Sequence, residues 1–169
     1  MKDDLKSIGL KGKDYVSLTD YTPQQFQALL ELAAALKADW RNGCLQPILQ
    51  GKTLAMIFQK ASTRTRVSFE VAMYQLGGLG LFLSANDLPI RRGEPIQDTA
   101  RVLASYCDGI LIRTFSHQEV KDLAEHSKVP VINGLTDDEH PTQALADMLT
   151  IWENRGSLQG QKLVYVGDG

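Results

Sequence analysis

The sequence predicts an α/β fold, a three-layer α/β/α domain on a mainly parallel sheet. Two observations predict it. Short apolar runs alternate with helix-suited segments along most of the chain, and strands that alternate with helices build a parallel sheet covered on both faces. Proline starts and glycine ends also punctuate that alternation. Right-handed crossovers then gather the functional loops at the carboxyl ends of the strands.

Thr22-Pro23 opens the first helix, with Gln25 three residues after the Thr cap. Phe26, Leu29, Leu30, Ala33, Leu36 and Trp40 form its apolar stripe, and Asn42-Gly43 ends it. Residues 53–58 read as a buried strand. Residues 67–76, free of Pro and Gly, suit a helix that Gly77-Gly78 closes. Residues 79–84 read as a second strand. Residues 86–93 read as a polar loop carrying Pro89, Arg91 and Arg92. Pro95 starts a helix to about Tyr106. A strand over 109–113 and a helix over 118–127 follow. Residues 129–132 read as a fourth strand and 133–139 as a loop. Pro141 opens a helix to about Trp152, in which Leu145, Met148, Leu149 and Trp152 are expected in the core. Residues 162–166 read as a fifth strand running into Gly167-Asp168-Gly169, the start of a second domain that the chain does not contain. The expected division is residues 1–152 as one domain and 153–169 as a connection plus that first strand.

Size and charge narrow the function. The chain has 169 residues, 43% of them apolar, enough for one sizeable core. Its net charge of −2 gives no general attraction to nucleic acid or membrane. The start, Met1-Lys2-Asp3-Asp4, has no apolar segment behind it, so neither a signal peptide nor a membrane span is expected. Cys44 and Cys107 lack metal or redox spacing. Cys107 reads as a small buried hydrophobe, and a reducing cytoplasm fits.

Ser62-Thr63-Arg64-Thr65-Arg66 carries the most chemistry. It sits where the first strand hands over to a helix. The first N–H groups of a helix have no internal partner, and the helix dipole adds positive charge there. That is a phosphate site in waiting. Three hydroxyls can add hydrogen bonds, and Arg64 can add a bidentate clamp. Arg66, two residues on, faces elsewhere and is expected to pair with Glu70. A polar cap with two solvated arginines is the competing reading.

His140-Pro141-Thr142-Gln143 marks another helix start. Pro141 suits the first helical position, and Asp137 and Asp138 complement the dipole. His140 and Gln143, three apart, can face one ligand, or the His can serve as a simple cap. Arg113 closes the third strand, where an α/β sheet binds ligands, or it is a surface Arg. His117 and His126 are expected at the surface.

Taken together, these clusters resemble the carbamoyl-phosphate domain of the aspartate/ornithine carbamoyltransferase family. Phe58-Gln59-Lys60-Ala61, Ser68-Phe69-Glu70-Val71-Ala72 and the run from Arg92-Gly93-Glu94-Pro95 to Arg101-Val102-Leu103 strengthen the resemblance. Val129-Pro130-Val131-Ile132-Asn133-Gly134-Leu135-Thr136-Asp137 looks like the ornithine branch. The resemblance implies that Ser62, Thr63, Arg64 and Thr65 bind the phosphate of carbamoyl phosphate. It implies that Arg113 bridges phosphate and carbonyl oxygens, that Thr65 and His140 polarise the carbonyl, and that Gln143 binds the carbamoyl amide. Arg64, Arg113 and His140 would be the catalytic set. Arg66 would be structural.

The implied reaction is attack of the ornithine side-chain amine on the carbamoyl carbon, giving citrulline and phosphate. It needs no side-chain nucleophile, metal or other cofactor, only position and fixed positive dipoles. The resemblance also implies a homotrimer or a multiple of trimers, with sites between subunits. Pro89 departs from the pattern, because many ornithine enzymes have Gln there, reaching a neighbouring subunit's site. The acceptor could instead be putrescine, acetylornithine or aspartate. A phosphate-binding fragment without catalysis and a non-enzymatic assembly subunit are the readings outside the enzyme class. The 169 residues alone are expected to bind phosphate or carbamoyl phosphate weakly and to make essentially no citrulline.

Overall fold

A computed structural model of the chain describes residues 8–84, 88 and 93–167. Among these described residues, four strands form one all-parallel sheet. In chain order they are β1 (Thr53–Phe58), β2 (Leu79–Ser84), β3 (Gly109–Arg113) and β4 (Val131–Leu135). Their spatial order is β2-β1-β3-β4. Five α-helices accompany them among the described residues: α1 (Pro23–Arg41), α2 (Thr63–Gln75), α3 (Ile96–Tyr106), α4 (His117–His126) and α5 (Pro141–Arg155). The expected α/β class and parallel sheet are borne out.

β1 is central, and Leu54 through Phe58 are all buried. Side chains alternate across a strand, so each face receives its own set. Ala55 and Ile57 join Ile110, Ile112, Ala100, Val120 and Leu123 beneath α3 and α4. Leu54, Met56 and Phe58 join Leu111, Met73 and Phe69 beneath α2. Cys107 lies in the first of these cores, as expected.

The end of α2 is set by its glycines. Gly77 has φ +82, and the Gly77 and Gly78 N–H groups donate back to the Tyr74 and Met73 carbonyls at 3.1 and 2.8 Å. This is the Schellman closure that glycine favours. A Cβ on Gly78 would lie 2.9 Å from the Lys52 carbonyl oxygen, so the turn has no room for a side chain.

Several boundaries differ from expectation. The fourth strand runs over Val131–Leu135, not 129–132. Asn133 and Gly134 look like turn residues, but the Asn133 side chain is fully buried. It donates to the Val16 carbonyl at 3.0 Å and accepts from the Leu135 N–H at 3.0 Å. Those contacts satisfy a polar group inside a strand. α5 continues three residues beyond Trp152, to Arg155, and Gly156 caps it in the left-handed conformation. Its Leu145, Met148, Leu149 and Trp152 are half-buried rather than core. The α1 stripe is likewise mostly half-buried, with Leu30 fully buried and Trp40 exposed.

Residues 162–166 do not form the expected strand. Their apolar side chains are exposed, up to 91% at Val166. An apolar run becomes a strand only where a ladder is available. The expectations for Pro89, Arg91 and Arg92 fall outside the described residues.

One feature at the chain's start had no sequence forecast. Residues 14–16 run as a strap beside β4. Tyr15 donates to the Val131 carbonyl at 2.7 Å and accepts from the Asn133 N–H at 2.8 Å.

Candidate functional site

The sheet's order reverses between β1 and β3. From β1 the chain crosses to β2 on one side, and from β3 it crosses to β4 on the other. Open α/β sheets bind ligands in the crevice at such a point. Phe58 and Arg113, the last residues of β1 and β3, are paired in register. The Gln59 N–H continues the junction by donating to the Arg113 carbonyl at 2.9 Å.

The loop after β1 leads directly into α2. Ser62 is its N-cap, with Oγ accepting from the Thr65 N–H at 3.2 Å. The Thr63 and Arg64 N–H groups precede the first intrahelical bond and remain for an outside acceptor. Arg66 pairs with Glu70, as expected. Its Nε donates to Glu70 at 3.0 Å, and its guanidinium stacks on Phe82, 3.6 Å from the ring centre.

Arg113 reaches α2 from the neighbouring strand. Its Nη1 donates to Thr65 Oγ1 at 3.3 Å. Its Nε is buried and has no hydrogen-bond partner among the described residues. An orphan guanidinium N–H in the interior is costly. Burial, and then the nearby Arg64 charge, pull the Arg113 pKa below its ordinary value. Both effects oppose a positive charge at this point, and an anion between the two arginines would relieve both.

His140 approaches from the start of α5. It occupies the N-cap position without capping through its side chain. Its carbonyl instead accepts from the Gln143 and Ala144 N–H groups, each at 3.1 Å. Nδ1 shares a hydrogen bond with Thr142 Oγ1 at 3.2 Å, which leaves Nε2 as the ring nitrogen for a ligand. Burial first, and the Arg113 charge second, hold the His140 pKa below the ordinary histidine value, against an opposing pull from Asp147. Both effects favour the neutral ring.

Arg64, Thr65, His140 and Gln143 line one cavity of about 520 Å³. The sequence sets them up to 79 residues apart, and the switch point brings them together. Ser62 and Thr63 line an adjoining hollow of about 610 Å³ on the other side of α2, with Arg66 and Phe82. The Gln143 amide donates to Asp147 at 2.9 Å, so a ligand would have to compete for it.

Other residues around the crevice escaped sequence reasoning. Lys60 pairs with Asp137 and lies over the Phe115 ring, joining three loops at the sheet's carboxyl edge. Asp137 is thus committed to Lys60 as well as near the α5 start. Glu119 accepts from Gln59 at 3.0 Å and from the buried Thr114 hydroxyl. His117, expected at the surface, is buried. Its Nδ1 lies 3.3 Å from Thr136 Oγ1, and its Nε2 lies 4.0 Å from the Glu139 carboxylate. Polar neighbours in sequence suggested solvent, but they are the partners that permit burial. Only the clustering of turn and acidic residues over 136–139 hinted at this network. Among the described residues, no group of three or more His, Cys, Asp or Glu side chains could hold a metal ion. No helix among them is long and apolar enough to cross a membrane.

Comparison with known proteins identifies the family. Residues 13–153 match the family model described as aspartate/ornithine carbamoyltransferase, carbamoyl-P binding domain. The ornithine carbamoyltransferase of Anoxybacillus flavithermus is 61% identical over 96% of this chain and 52% of its own length. That of Pyrococcus abyssi is 58% identical over 96% of this chain and 51% of its own. Among solved structures, ornithine carbamoyltransferase from Pyrococcus furiosus superimposes with a TM-score of 0.86 at 56% identity, over 88% of this chain and 48% of that one. Aspartate transcarbamoylase from Trypanosoma cruzi, solved with carbamoyl phosphate and aspartate, gives 0.82 at 33% identity, over 88% and 50%. The chain thus spans about half the length of the relatives it matches. With the matching segment covering both helix starts and Arg113, the chain belongs to the aspartate/ornithine carbamoyltransferase family, as its carbamoyl-phosphate-binding domain.

Proposed function

We propose that this chain is the carbamoyl-phosphate half of an ornithine carbamoyltransferase. One observation carries the reading: the buried Arg113 Nε, unpartnered among the described residues, beside Thr65 and Arg64 at the sheet's switch point. The phosphate takes the Ser62, Thr63, Arg64 and Thr65 donors and the orphan side of Arg113. The carbamoyl group lies toward α5, with its oxygen facing Thr65, Arg113 and His140 and its amide facing Gln143.

The chemistry follows from those placements. As the acceptor amine attacks the carbamoyl carbon, negative charge develops on the former carbonyl oxygen. Arg113 and the Thr65 hydroxyl are fixed before that charge appears, so they need not reorganise. Neutral His140 donates a hydrogen bond there without adding a third cation. The departing phosphate keeps its α2 and Arg64 contacts, which favour the negative leaving group. Ornithine as acceptor is supported by the identities of 61% and 58% to ornithine enzymes, against 33% to the aspartate enzyme.

We place residues 1–152 in this domain and 153–169 in the connection to an acceptor-binding half. The outer face of α2 and the side of the edge strand β2 next to it expose Val67, Val71, Tyr74 and Phe82. Such a contiguous apolar face supports contact between copies in a trimer.

Calorimetry with carbamoyl phosphate tests the reading on the full chain. Binding should be seen, and Arg113→Met should abolish most of it. Unchanged affinity in that variant would refute the site. Colorimetric citrulline formation by the protein at its relatives' full length tests the acceptor, with putrescine, acetylornithine and aspartate as competitors.

A further inference from the structure

His140 is bracketed by two hydrogen bonds from the far end of the chain. Ser17 Oγ donates to the Glu139 carboxylate at 2.9 Å, one residue before His140. Tyr15 Oη donates to the Pro141 carbonyl at 3.1 Å, one residue after it. Both bonds span more than 120 residues. We propose that Tyr15 and Ser17 are positioning residues for His140, and that the strap carrying them sets the carbamoyl side of the site. The proposal rests on the reading above, in which His140 meets the carbamoyl group.

The strap itself is firmly attached. The Val131 N–H donates to Asp14 Oδ1 at 2.8 Å, and the Asn133 side chain donates to the Val16 carbonyl at 3.0 Å. Tyr15 stacks edge-on against Tyr21, with ring centres 5.1 Å apart. Ser17 is buried and caps the 3-10 turn Leu18–Asp20 that follows. These bonds register the strap on β4, whose carboxyl end leads into the loop before His140.

That loop needs outside support. His140 has φ −130 and ψ 71, and its side chain provides no cap. A helix start without a side-chain cap has little local force to fix its entry angle. Thr136 supplies part of the support, with Oγ1 accepting from the Glu139 N–H at 3.1 Å above buried His117. Ser17 and Tyr15 hold the two residues that flank the imidazole. Neither touches the cavity that Arg64, Thr65, His140 and Gln143 line.

The test separates carbamoyl from phosphate recognition. Calorimetry measures affinities of the full chain for carbamoyl phosphate and for inorganic phosphate. The double variant Tyr15→Phe, Ser17→Ala keeps the aromatic packing and removes both hydroxyls. It should weaken carbamoyl phosphate about three- to tenfold, and phosphate by less than about twofold, as expected for one displaced hydrogen-bonding group. Ser17→Thr restores a hydroxyl and should recover part of the loss. Lys13→Ala removes contacts to Tyr21 and Gln25, outside the strap, without touching residues 139–141, and should change neither affinity.

Equal loss for both ligands, or no loss for either, would overturn the proposal. So would Lys13→Ala reproducing the selective loss. His140→Ala tests the underlying reading separately, because it should itself show the selective loss. If it does not, the carbamoyl assignment of His140 fails. Positioning is then judged on the imidazole resonances of the chain's three histidines. His140, which faces Arg113 and Asp147, should shift in the double variant while His126 stays fixed. An unmoved His140 resonance would overturn the proposal.

Discussion

The two helix starts that face the crevice are built in opposite ways. α2 begins with its own cap, Ser62 Oγ on the Thr65 N–H three residues away. α5 begins with a histidine whose ring does not cap, and whose flanking residues are held by Tyr15 and Ser17. The first start binds a phosphate in the proposed function, and the second a carbamoyl group. A phosphate site needs mainly free N–H groups and positive charge, which a short local motif can provide. Recognition of a small neutral group needs a ring and an amide at set positions. That takes a framework, here supplied from the opposite end of the chain.

The largest effect should come from breaking the α2 side. Arg64→Ala removes a charge-assisted clamp, which costs on the order of 1.5–3 kcal/mol. Calorimetry should show carbamoyl phosphate and inorganic phosphate weakening together. Arg66→Ala, two residues away, should leave both affinities nearly unchanged, because its guanidinium is occupied by Glu70 and Phe82. If the two variants behave alike, the division of labour between these arginines is wrong.

Gln143→Ala breaks the other side. It should weaken carbamoyl phosphate by about 1 kcal/mol and leave phosphate almost untouched. Because Gln143 is bonded to Asp147, Asp147→Asn sharpens the comparison by relaxing that competition. Parallel losses for the two ligands in Gln143→Ala would place Gln143 on the phosphate instead.

Stability should separate the two starts as well. Ser62→Ala removes a side-chain cap and should cost about 1 kcal/mol, read from denaturant midpoints. The matching change at α5, His140→Ala, removes no cap and should cost less. A larger loss at His140 would mean that its bond to Thr142 carries the α5 start.

The smallest effect is a pH slope. Burial and Arg113 depress the folded pKa of His140 below its ordinary 6.5. The unfolded chain therefore takes up the proton first as pH falls. The contribution of neutral His140 to stability is full above 6.5 and is lost between 6.5 and the lower folded value. Melting temperatures between pH 7.5 and 5.5 should fall more steeply for the unaltered chain than for His140→Gln. Identical slopes would show that the imidazole is not shielded as the structure has it.

Much of the site was legible in the chain itself. Ser62 through Arg66 sit at a strand-to-helix junction, and the Arg66–Glu70 pair follows from four-residue spacing; both are local facts that periodicity and capping chemistry reveal. Arg113 at a strand end and His140-Pro141 at a helix start were readable as positions. The buried His117 and the committed Asp137 were not, because their partners Thr136, Glu139 and Lys60 come from other loops. Asn133 was misplaced in a loop for the same reason: its burial depends on the Val16 carbonyl, 117 residues away in sequence.

The sequence by itself determined the Thr22 cap of α1, the glycine closure of α2, the apolar central strand and the residue types of the phosphate cradle. Each depends on contacts within a few residues, where backbone geometry and side-chain chemistry leave few alternatives. Only the tertiary structure decided that Arg113 reaches Thr65, that its Nε has no partner among the described residues, and that the strap at Tyr15 and Ser17 brackets His140. Those facts follow from which strands lie side by side. The order β2-β1-β3-β4 brings the ends of β1 and β3 into register and lays the strap along β4. Sheet order is set by the sum of long-range packing on both faces, and no local stretch of sequence carries it.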